Sequence, residues 1–302
     1  MSGETGRGDG IAAGTADEAA VSVDTDARIT PDASHLLRTI FTRELRTVVR
    51  TRTFLLLGFA LTAVLLGAAW VGGGLGAGYV ATTVDLLTPL ELLVPIVAVA
   101  FGYRAVLGDE RRGELDVLET YPVKAWQIVV GVYLGRAVGL VVAILVPLGV
   151  VWSAIALSDT DVSPIYATHG GADSPVLFAR LIILAVLFAL VVLAVAIAIS
   201  AVASAARSAL ALAVVALVVL LVGLDLLLVY GLSTGFLAES ALLQALAISP
   251  LSAFRGLVLE SVVVVAAGTG PQTAAPIASI VGLLVWGVAS LAVATWSVGR
   301  KS

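Results

Sequence analysis

The chain has 302 residues, of which 60% are hydrophobic and only 13% are charged, and its mean hydropathy is +1.08. A soluble domain is nearer half apolar and a quarter charged, so this composition excludes an ordinary soluble protein and indicates a membrane protein. There is no cysteine, one methionine and two histidines, which excludes disulfides and cysteine-ligated metal centres and leaves few ligands for a soft metal. The formal net charge is −4, and we expect no nucleic acid among the partners.

Acidic residues are concentrated at the start of the chain. The first 34 residues hold seven acidic side chains against two arginines, are rich in Gly, Ala and Asp, and show no hydrophobic periodicity. We therefore predict a disordered acidic tail over residues 1–34. We expect no signal peptide in this tail, because no apolar core follows a basic start.

An amphipathic pattern follows the tail. Between His35 and Phe54 apolar residues recur at helical spacing, arginines occupy the other faces, and Ser34 can cap the helix. We predict an N-terminal interfacial helix whose basic face meets the anionic headgroups of the lipid bilayer. The alternative is a solvated helix that leads into the first membrane span.

Six apolar stretches come near or exceed the ~18–20 residues that cross a bilayer. They run approximately over Phe54–Val71, Val84–Leu107, Ile128–Leu157, Val176–Ala203, Ala209–Leu232 and Pro276–Val298. Residues 235–275 hold only short apolar runs, broken by polar residues and a proline, and we predict external re-entrant helices there and not a seventh span. The predicted fold is thus all-α, a polytopic membrane bundle of six transmembrane helices.

The basic residues fix the orientation of this bundle. With a cytoplasmic N-terminus, thirteen basic residues fall on the inner side and only Arg180 and Arg255 on the outer side. Since Lys and Arg accumulate in cytoplasmic loops, we predict a multi-pass protein of the cell membrane with both termini cytoplasmic.

The inner loop between the second and third spans is the longest on its side. Residues 109–119 have helical propensity, with Leu115 and Leu118 on one side, and Tyr121 before Pro122 ends the segment. A short amphipathic helix of this kind is suited to docking on a cytoplasmic partner, although an ordinary charged loop is the alternative. The residues of the predicted docking loop are Asp109, Glu110, Arg111, Arg112, Gly113, Leu115, Leu118, Tyr121 and Pro122.

The segments TRELRTVVRTRTFLL, LLTPLELLVPIVAVAFGYRAVLGDERRGELDVLETYPVKAWQIVVGVYLGR, LVGLDLLLVYGL and ISPLSAFRGLVL resemble the permeases of ABC-2-type transporters, above all the NosY branch. In that branch a run of Pro, Ala, Tyr, Gly and Leu at fixed spacing precedes the third span. The chain matches this run at Pro95, Ala98, Tyr103, Gly108, Gly113, Leu115, Leu118, Tyr121 and Pro122. It departs from the run at Asp109, Glu114 and Glu119.

The resemblance implies a function and partners. Residues 35–302 would form an ABC-2-type transmembrane domain that moves a substrate with ATP hydrolysed by a separate P-loop ATPase subunit. The docking loop would be the coupling helix that fits a groove of that ATPase. The permease would pair with a second copy or with a homologous permease.

Two carboxylates lie inside predicted spans, where an unpaired charge is expensive. For Asp225 in the fifth span and Glu91 in the second, one reading is a group of the translocation path or a proton relay. The other is a buried structural pair, for which Asp225 has Arg180 and Arg255 as candidate partners.

Motifs for catalysis and cofactors are missing from the sequence. There is no G-x-x-x-x-G-K-[ST] to bind ATP, no H-E-x-x-H and no G-x-S-x-G with a suitable histidine. We therefore expect no enzymatic site, cofactor or metal in the chain itself, which disfavours an intramembrane protease. His169 with Asp159, Asp161 and Asp173 fits a solvated acidic loop better than a weak metal site.

The alternative function is a secondary transporter driven by an ion gradient through Asp225 or Glu91. The sequence lacks the internal repeat that such transporters often show.

Overall fold

The structure is a computed structural model that describes residues 42, 52–72, 74–106, 124–158, 173–238, 241–268, 270 and 272–301. Three predicted segments lie outside these residues, wholly or nearly so. They are the tail over 1–34, the interfacial helix up to residue 51 apart from Thr42, and the docking loop Asp109–Pro122.

Every regular element of the described residues is helical, as predicted. The α-helices are α1 (Arg52–Val71), α2 (Gly74–Ala77), α3 (Tyr79–Gly102), α4 (Ala125–Leu157), α5 (Pro175–Val202), α6 (Ala206–Val218), α7 (Leu224–Ser233), α8 (Leu242–Ala245), α9 (Pro250–Val258), α10 (Val265–Ala267) and α11 (Pro276–Lys301). A π-helical segment, Val219–Gly223, joins α6 to α7, and a second, Leu259–Val264, joins α9 to α10.

Six of the described helices are long and apolar enough to cross a membrane, so the protein is a multi-pass membrane protein. Five of them, α3, α4, α5, the continuous α6–α7 and α11, match predicted spans. The first predicted span corresponds to α1, of which Leu56–Val71 is apolar. The sixth long helix is the continuous α9–α10, in the region for which re-entrant helices are predicted.

Helix α9–α10 contacts the first half of the central helix α5. The ring of Phe254 in α9 stacks on that of Phe188, the fourteenth of the 28 residues of α5, with ring centroids 4.8 Å apart. Further along, the backbone at Ser261 contacts Arg180, the sixth residue of α5. The helix is therefore level with the middle of α5 at Phe254 and runs from there toward the start of α5, a course that agrees with the predicted re-entrant helices.

Serine–proline pairs begin two of these helices. Ser174 and Ser249 each have an extended backbone and accept a hydrogen bond at the hydroxyl oxygen, from the N–H of Val176 and Ser252 respectively, both at 3.3 Å. Pro175 and Pro250 follow as the first helical residues, where a missing N–H costs nothing. At Pro250 this cap allows the re-entrant helix to start inside the bundle, with Ser249 fully buried.

Helix α5 is the centre of the core and packs against α3, α4, α9 and α11. Small residues permit the closest of these contacts: a Cβ added at Gly102 of α3 would lie 2.5 Å from the Cβ of Ala196 in α5. Close backbone approach at small residues is how helices associate in lipid, where no hydrophobic effect drives them together.

Helix α6–α7, the predicted fifth span, is the least buried of the long helices in the described structure. Only Ala209, Ala213 and Leu220 are buried along it. Its exposed apolar side chains include Val214, Val215, Val218, Val222, Leu226 and Val229. An apolar surface of this kind is compatible with lipid or with another membrane helix.

Candidate functional site

An ion pair joins the re-entrant helix to the second predicted span. The guanidinium of Arg255 in α9 donates from Nε to Oε1 of Glu91 at 2.6 Å and from Nη2 to Oε2. Glu91 is 5% exposed and lies in the middle of α3, whereas the side chain of Arg255 is 48% exposed. Bidentate arginine–carboxylate pairs are among the strongest hydrogen-bonded contacts, and here the pair neutralises a carboxylate deep in an apolar bundle.

Asp225 reaches the same re-entrant helix from α7. Its Oδ1 accepts a hydrogen bond from the hydroxyl of Ser252 at 2.7 Å. Ser252 and Arg255 are three residues apart and therefore lie on one side of α9. With all three groups ionised, the carboxylates of Glu91 and Asp225 and the guanidinium of Arg255 carry one net negative charge.

Within the described residues, Asp225 forms a salt bridge with neither Arg180 nor Arg255, the two partners considered from the sequence. Among the described residues, Arg255 makes its salt bridge with Glu91, and Arg180 donates from Nη1 to the carbonyl of Ser261 at 2.7 Å. Ser261 lies in the π-helical segment Leu259–Val264, where the wider turn changes the helical hydrogen-bond pattern. Arg255 instead makes a bidentate contact with Glu91 of α3, and Asp225 accepts from Ser252.

The re-entrant helix is also bound to the segment that precedes α11. Both the N–H and the hydroxyl of Thr273 donate to Oε2 of Glu260, each at 2.8 Å. A Cβ added at Gly256 would lie 2.8 Å from the Cβ of Ala274, so α9 and this segment are in close contact. Near the turn that starts α9, the indole N–H of Trp286 donates to the carbonyl of Ile248 at 2.8 Å.

Two hydrogen bonds fasten the chain where the predicted docking loop begins. Arg136 of α4 is buried and donates from Nη1 to the carbonyl of Phe101, near the C-terminus of α3, at 2.7 Å. The N–H of Val106 donates to the hydroxyl oxygen of Ser200 in α5 at 3.0 Å. A guanidinium at a helix C-terminus also meets the negative end of the helix dipole.

Asp173 has a structural role that its acidic loop did not suggest. Its two carboxylate oxygens accept hydrogen bonds from the N–H groups of Tyr79 and Val80, at 3.0 and 2.8 Å, and so cap the start of α3. Gly78 precedes α3 with a φ of +99° and a Cβ there would meet the same carboxylate, so glycine is required. The other members of the weak metal site considered above lie outside the described residues.

The predicted site residues fall into two groups. All nine residues of the docking loop, from Asp109 to Pro122, lie outside the described residues. Glu91 and Asp225 are described, and the structure brings both to α9. Ser252 was missed as a member of the cluster, and its spacing of three from Arg255 in SPLSAFR is the signal that could have identified it.

Comparison with known proteins agrees with the fold and identifies the family. Two curated relatives named "Probable ABC transporter permease protein NosY" are similar to the chain. The relative from Stutzerimonas stutzeri is 32% identical over 120 residues, which cover 38% of this chain and 44% of the relative. The relative from Pseudomonas aeruginosa (strain PAO1) is 34% identical over 116 residues, which cover 37% of this chain and 42% of the relative.

The chain thus spans less than half the length of these relatives in the matched regions. The family match is much longer. Residues 38–302 match the family described as "ABC-2 family transporter protein", so the chain belongs to the ABC-2 transporter family.

Proposed function

We propose that the chain is the permease subunit of an ABC transporter and moves a substrate across the cell membrane with ATP hydrolysed by a separate ATPase subunit. The observation that carries this proposal is the family match over residues 38–302 of a chain with no P-loop of its own. A permease of this kind needs a partner that hydrolyses ATP and a surface through which the two are coupled.

The docking loop Asp109–Pro122 is the proposed coupling surface. Leu115 and Leu118 would fill a groove of the ATPase while the charged residues around them pair across the interface. The anchoring of the chain ahead of the loop supports this role, because Arg136 and Ser200 hold Phe101 and Val106 to the bundle. Because the residues ahead of the loop are bonded to α4 and α5, movement of the loop would be transmitted to these helices and to α3.

The two intramembrane carboxylates take different proposed roles. The bidentate contact of Glu91 with Arg255 supports the reading of Glu91 as one half of a structural pair. Asp225 accepts a single hydrogen bond on a helix with little burial, which supports its place along the translocation path. The path would lie where α6–α7 faces the re-entrant helix.

The remaining parts follow the family and the charge distribution. The permease would act as a dimer with a second copy or a homologous permease, with two ATPase subunits. Both termini, the acidic tail 1–34 and the docking loop would be cytoplasmic. The re-entrant helices would lie on the outer side of the bundle.

The test is to replace residues 109–122 with a glycine–serine linker of equal length in the tagged full-length chain, expressed in its own host. We expect the wild-type chain to purify from solubilised membranes with a P-loop ATPase, identified by peptide mass spectrometry, and with vanadate-sensitive ATP hydrolysis. The loop variant should remain in the membrane and purify without the ATPase. The matched control replaces residues 159–171, the predicted outer loop, and should retain the ATPase.

The outcomes separate the alternatives. Retention of the ATPase by the 109–122 variant contradicts the coupling role of the loop. If no ATPase purifies with the wild-type chain, and membrane vesicles transport when ATP is depleted but a proton gradient is held, the protein is a secondary transporter.

A further inference from the structure

A continuous set of contacts runs from the base of the docking loop to the fifth span. At its inner end, Arg136 and Ser200 tie the last turn of α3 and the residues after it to α4 and α5. Any displacement of the loop base therefore acts on the C-terminal end of α3.

Helix α3 carries that displacement to the middle of the bundle. It is one continuous helix of 24 residues, even though Pro89 and Pro95 each remove a helical hydrogen bond. Its contacts with α5 lie on both sides of these prolines, from the ring of Tyr79 beside that of Phe178 to the close approach of Gly102 to Ala196, and they support the helix. Glu91, between the two prolines, is the point at which α3 is bound to the re-entrant helix.

Of the two polar links that join α9 to α3 and to α7, the link to α3 is the stronger. Arg255 and Glu91 are joined by two charge-assisted hydrogen bonds, and separation of the pair would leave a buried carboxylate without its counter-charge. The pair is therefore expected to hold throughout a transport cycle.

The link between α9 and α7 is weaker. A single hydrogen bond joins the hydroxyl of Ser252 to Asp225, and both groups are part-buried. Helix α6–α7 buries few side chains against the bundle, and a π-helical segment lies two residues before Asp225. π-helical segments are frequent at sites where a helix changes shape.

We propose that the Glu91–Arg255 pair makes the re-entrant helix move as one body with α3, so that α9 follows the docking loop while the joint that opens during transport is Ser252–Asp225. The inference rests on the proposed permease function. Glu91 and Arg255 are positioning residues in this scheme, because they act through α9 and need not touch the substrate.

The absence of cysteine from the chain permits a direct test with a thiol reagent. The variants Glu91→Cys/Arg255→Cys and Asp225→Cys/Ser252→Cys place thiols at the two links. The permease–ATPase complex is purified with each variant, placed in lipid nanodiscs and treated with propanediyl bis-methanethiosulfonate, which joins two nearby thiols and is released by dithiothreitol. Linked peptides are quantified by mass spectrometry, and vanadate-sensitive ATP hydrolysis is measured.

The two variants should respond in opposite directions. Before cross-linking, Glu91→Cys/Arg255→Cys should hydrolyse ATP ~10-fold more slowly than wild type, within the range typical of coupling between sites, and the cross-link should restore the rate. Asp225→Cys/Ser252→Cys should be active before cross-linking and ~10-fold slower after it, and dithiothreitol should reverse the loss. Wild-type complex treated in the same way corrects for cysteines of the ATPase.

Other outcomes overturn the inference. Inhibition by the α3–α9 cross-link means that this pair must separate during the cycle, and full activity with α7 linked to α9 means that their joint does not open. These results would leave the permease function intact, because an active wild-type complex establishes that function separately. A wild-type chain that purifies without an ATPase would overturn both proposals.

Discussion

Arg255 and Glu91 are 164 positions apart in the sequence, yet the guanidinium of one meets both carboxylate oxygens of the other in the middle of the bundle. The contact holds the re-entrant helix α9 against α3. It also lets an arginine inside the bundle satisfy a carboxylate that would otherwise be costly in an apolar surrounding.

Glu91→Gln is predicted to destabilise the protein. The variant keeps the shape of the side chain but removes the charge that offsets Arg255. Loss of one partner from a fully buried pair costs ~3–5 kcal/mol. Because Arg255 is 48% exposed, we expect ~1–3 kcal/mol here. Thermal unfolding in detergent, followed by tryptophan fluorescence, measures the change.

A double-mutant cycle with Arg255→Gln isolates the contribution of the pair. The double variant should lose less stability than the sum of the two single variants, since it leaves no unpaired charge. Asp85→Asn is the matched control, because Asp85 lies on the same helix and makes no hydrogen bond within the described part of the chain. Simple additivity of the two single changes would show that the contact contributes nothing beyond its separate side chains.

The contact of α3 with α5 gives a second prediction. Gly102→Ala would put a Cβ 2.5 Å from the Cβ of Ala196, closer than real Cβ atoms approach, so the two helices must separate locally. Overpacking of this kind costs ~1–3 kcal/mol. We expect a lower unfolding temperature in the same fluorescence assay.

Gly149→Ala is the matched control for this substitution. Gly149 lies inside α4 and a Cβ there meets nothing within 4 Å. Since alanine is favoured over glycine in a helix by ~0.5–1 kcal/mol, this variant should be at least as stable as wild type. A stable Gly102→Ala variant would mean that the α3–α5 interface yields easily and that the close approach is not required.

The helices were predictable from the sequence, whereas most of their partners were not. A span such as α5 is visible because its 28 residues are apolar throughout, and the re-entrant region is visible because polar residues interrupt its apolar runs. Both signals lie within one segment of the chain. The apolar stretch around Glu91 places this residue in the membrane, but it holds no information on which distant arginine faces it.

The role of Asp173 shows the same limit at the end of a helix. Its position in an acidic loop between two spans is typical of solvated residues, and nothing nearby in the sequence points to the start of α3. The cap exists because helix packing brings Gly78 and the first N–H groups of α3 beside it. Ser249, in contrast, could be recognised as a cap because the proline that starts its helix follows directly.

Asp173→Ala is predicted to weaken the start of α3. The substitution leaves the N–H groups of Tyr79 and Val80 without their acceptor and removes a negative charge from a helix N-terminus. Loss of such a cap costs ~1–2 kcal/mol, which thermal unfolding in detergent can detect. Asp173→Asn retains an acceptor oxygen and should lose only part of this stability.

The cap interpretation also predicts the response to chelation. EDTA should change neither the stability of wild type nor that of Asp173→Ala, because the carboxylate of Asp173 accepts hydrogen bonds from backbone N–H groups and would hold no metal. A chelator that destabilised wild type to the level of the variant would instead indicate a metal ion at this loop.

Arg136→Met is predicted to uncouple ATP hydrolysis from the bundle without releasing the ATPase. Methionine fills much of the same volume but donates no hydrogen bond, so the bond from Arg136 to the carbonyl of Phe101 is lost at a cost of ~1–3 kcal/mol. The docking loop itself is unaltered, and the ATPase should therefore purify with the variant in normal amount. We expect vanadate-sensitive ATP hydrolysis in nanodiscs to fall ~5-fold or more, because the loop would no longer act on a fixed end of α3.

Arg207→Met, which removes an exposed arginine at the start of α6, is the control and should behave as wild type. A normal rate for Arg136→Met would show that the loop acts on the bundle by another route, and loss of the ATPase would show that Arg136 supports docking and not transmission.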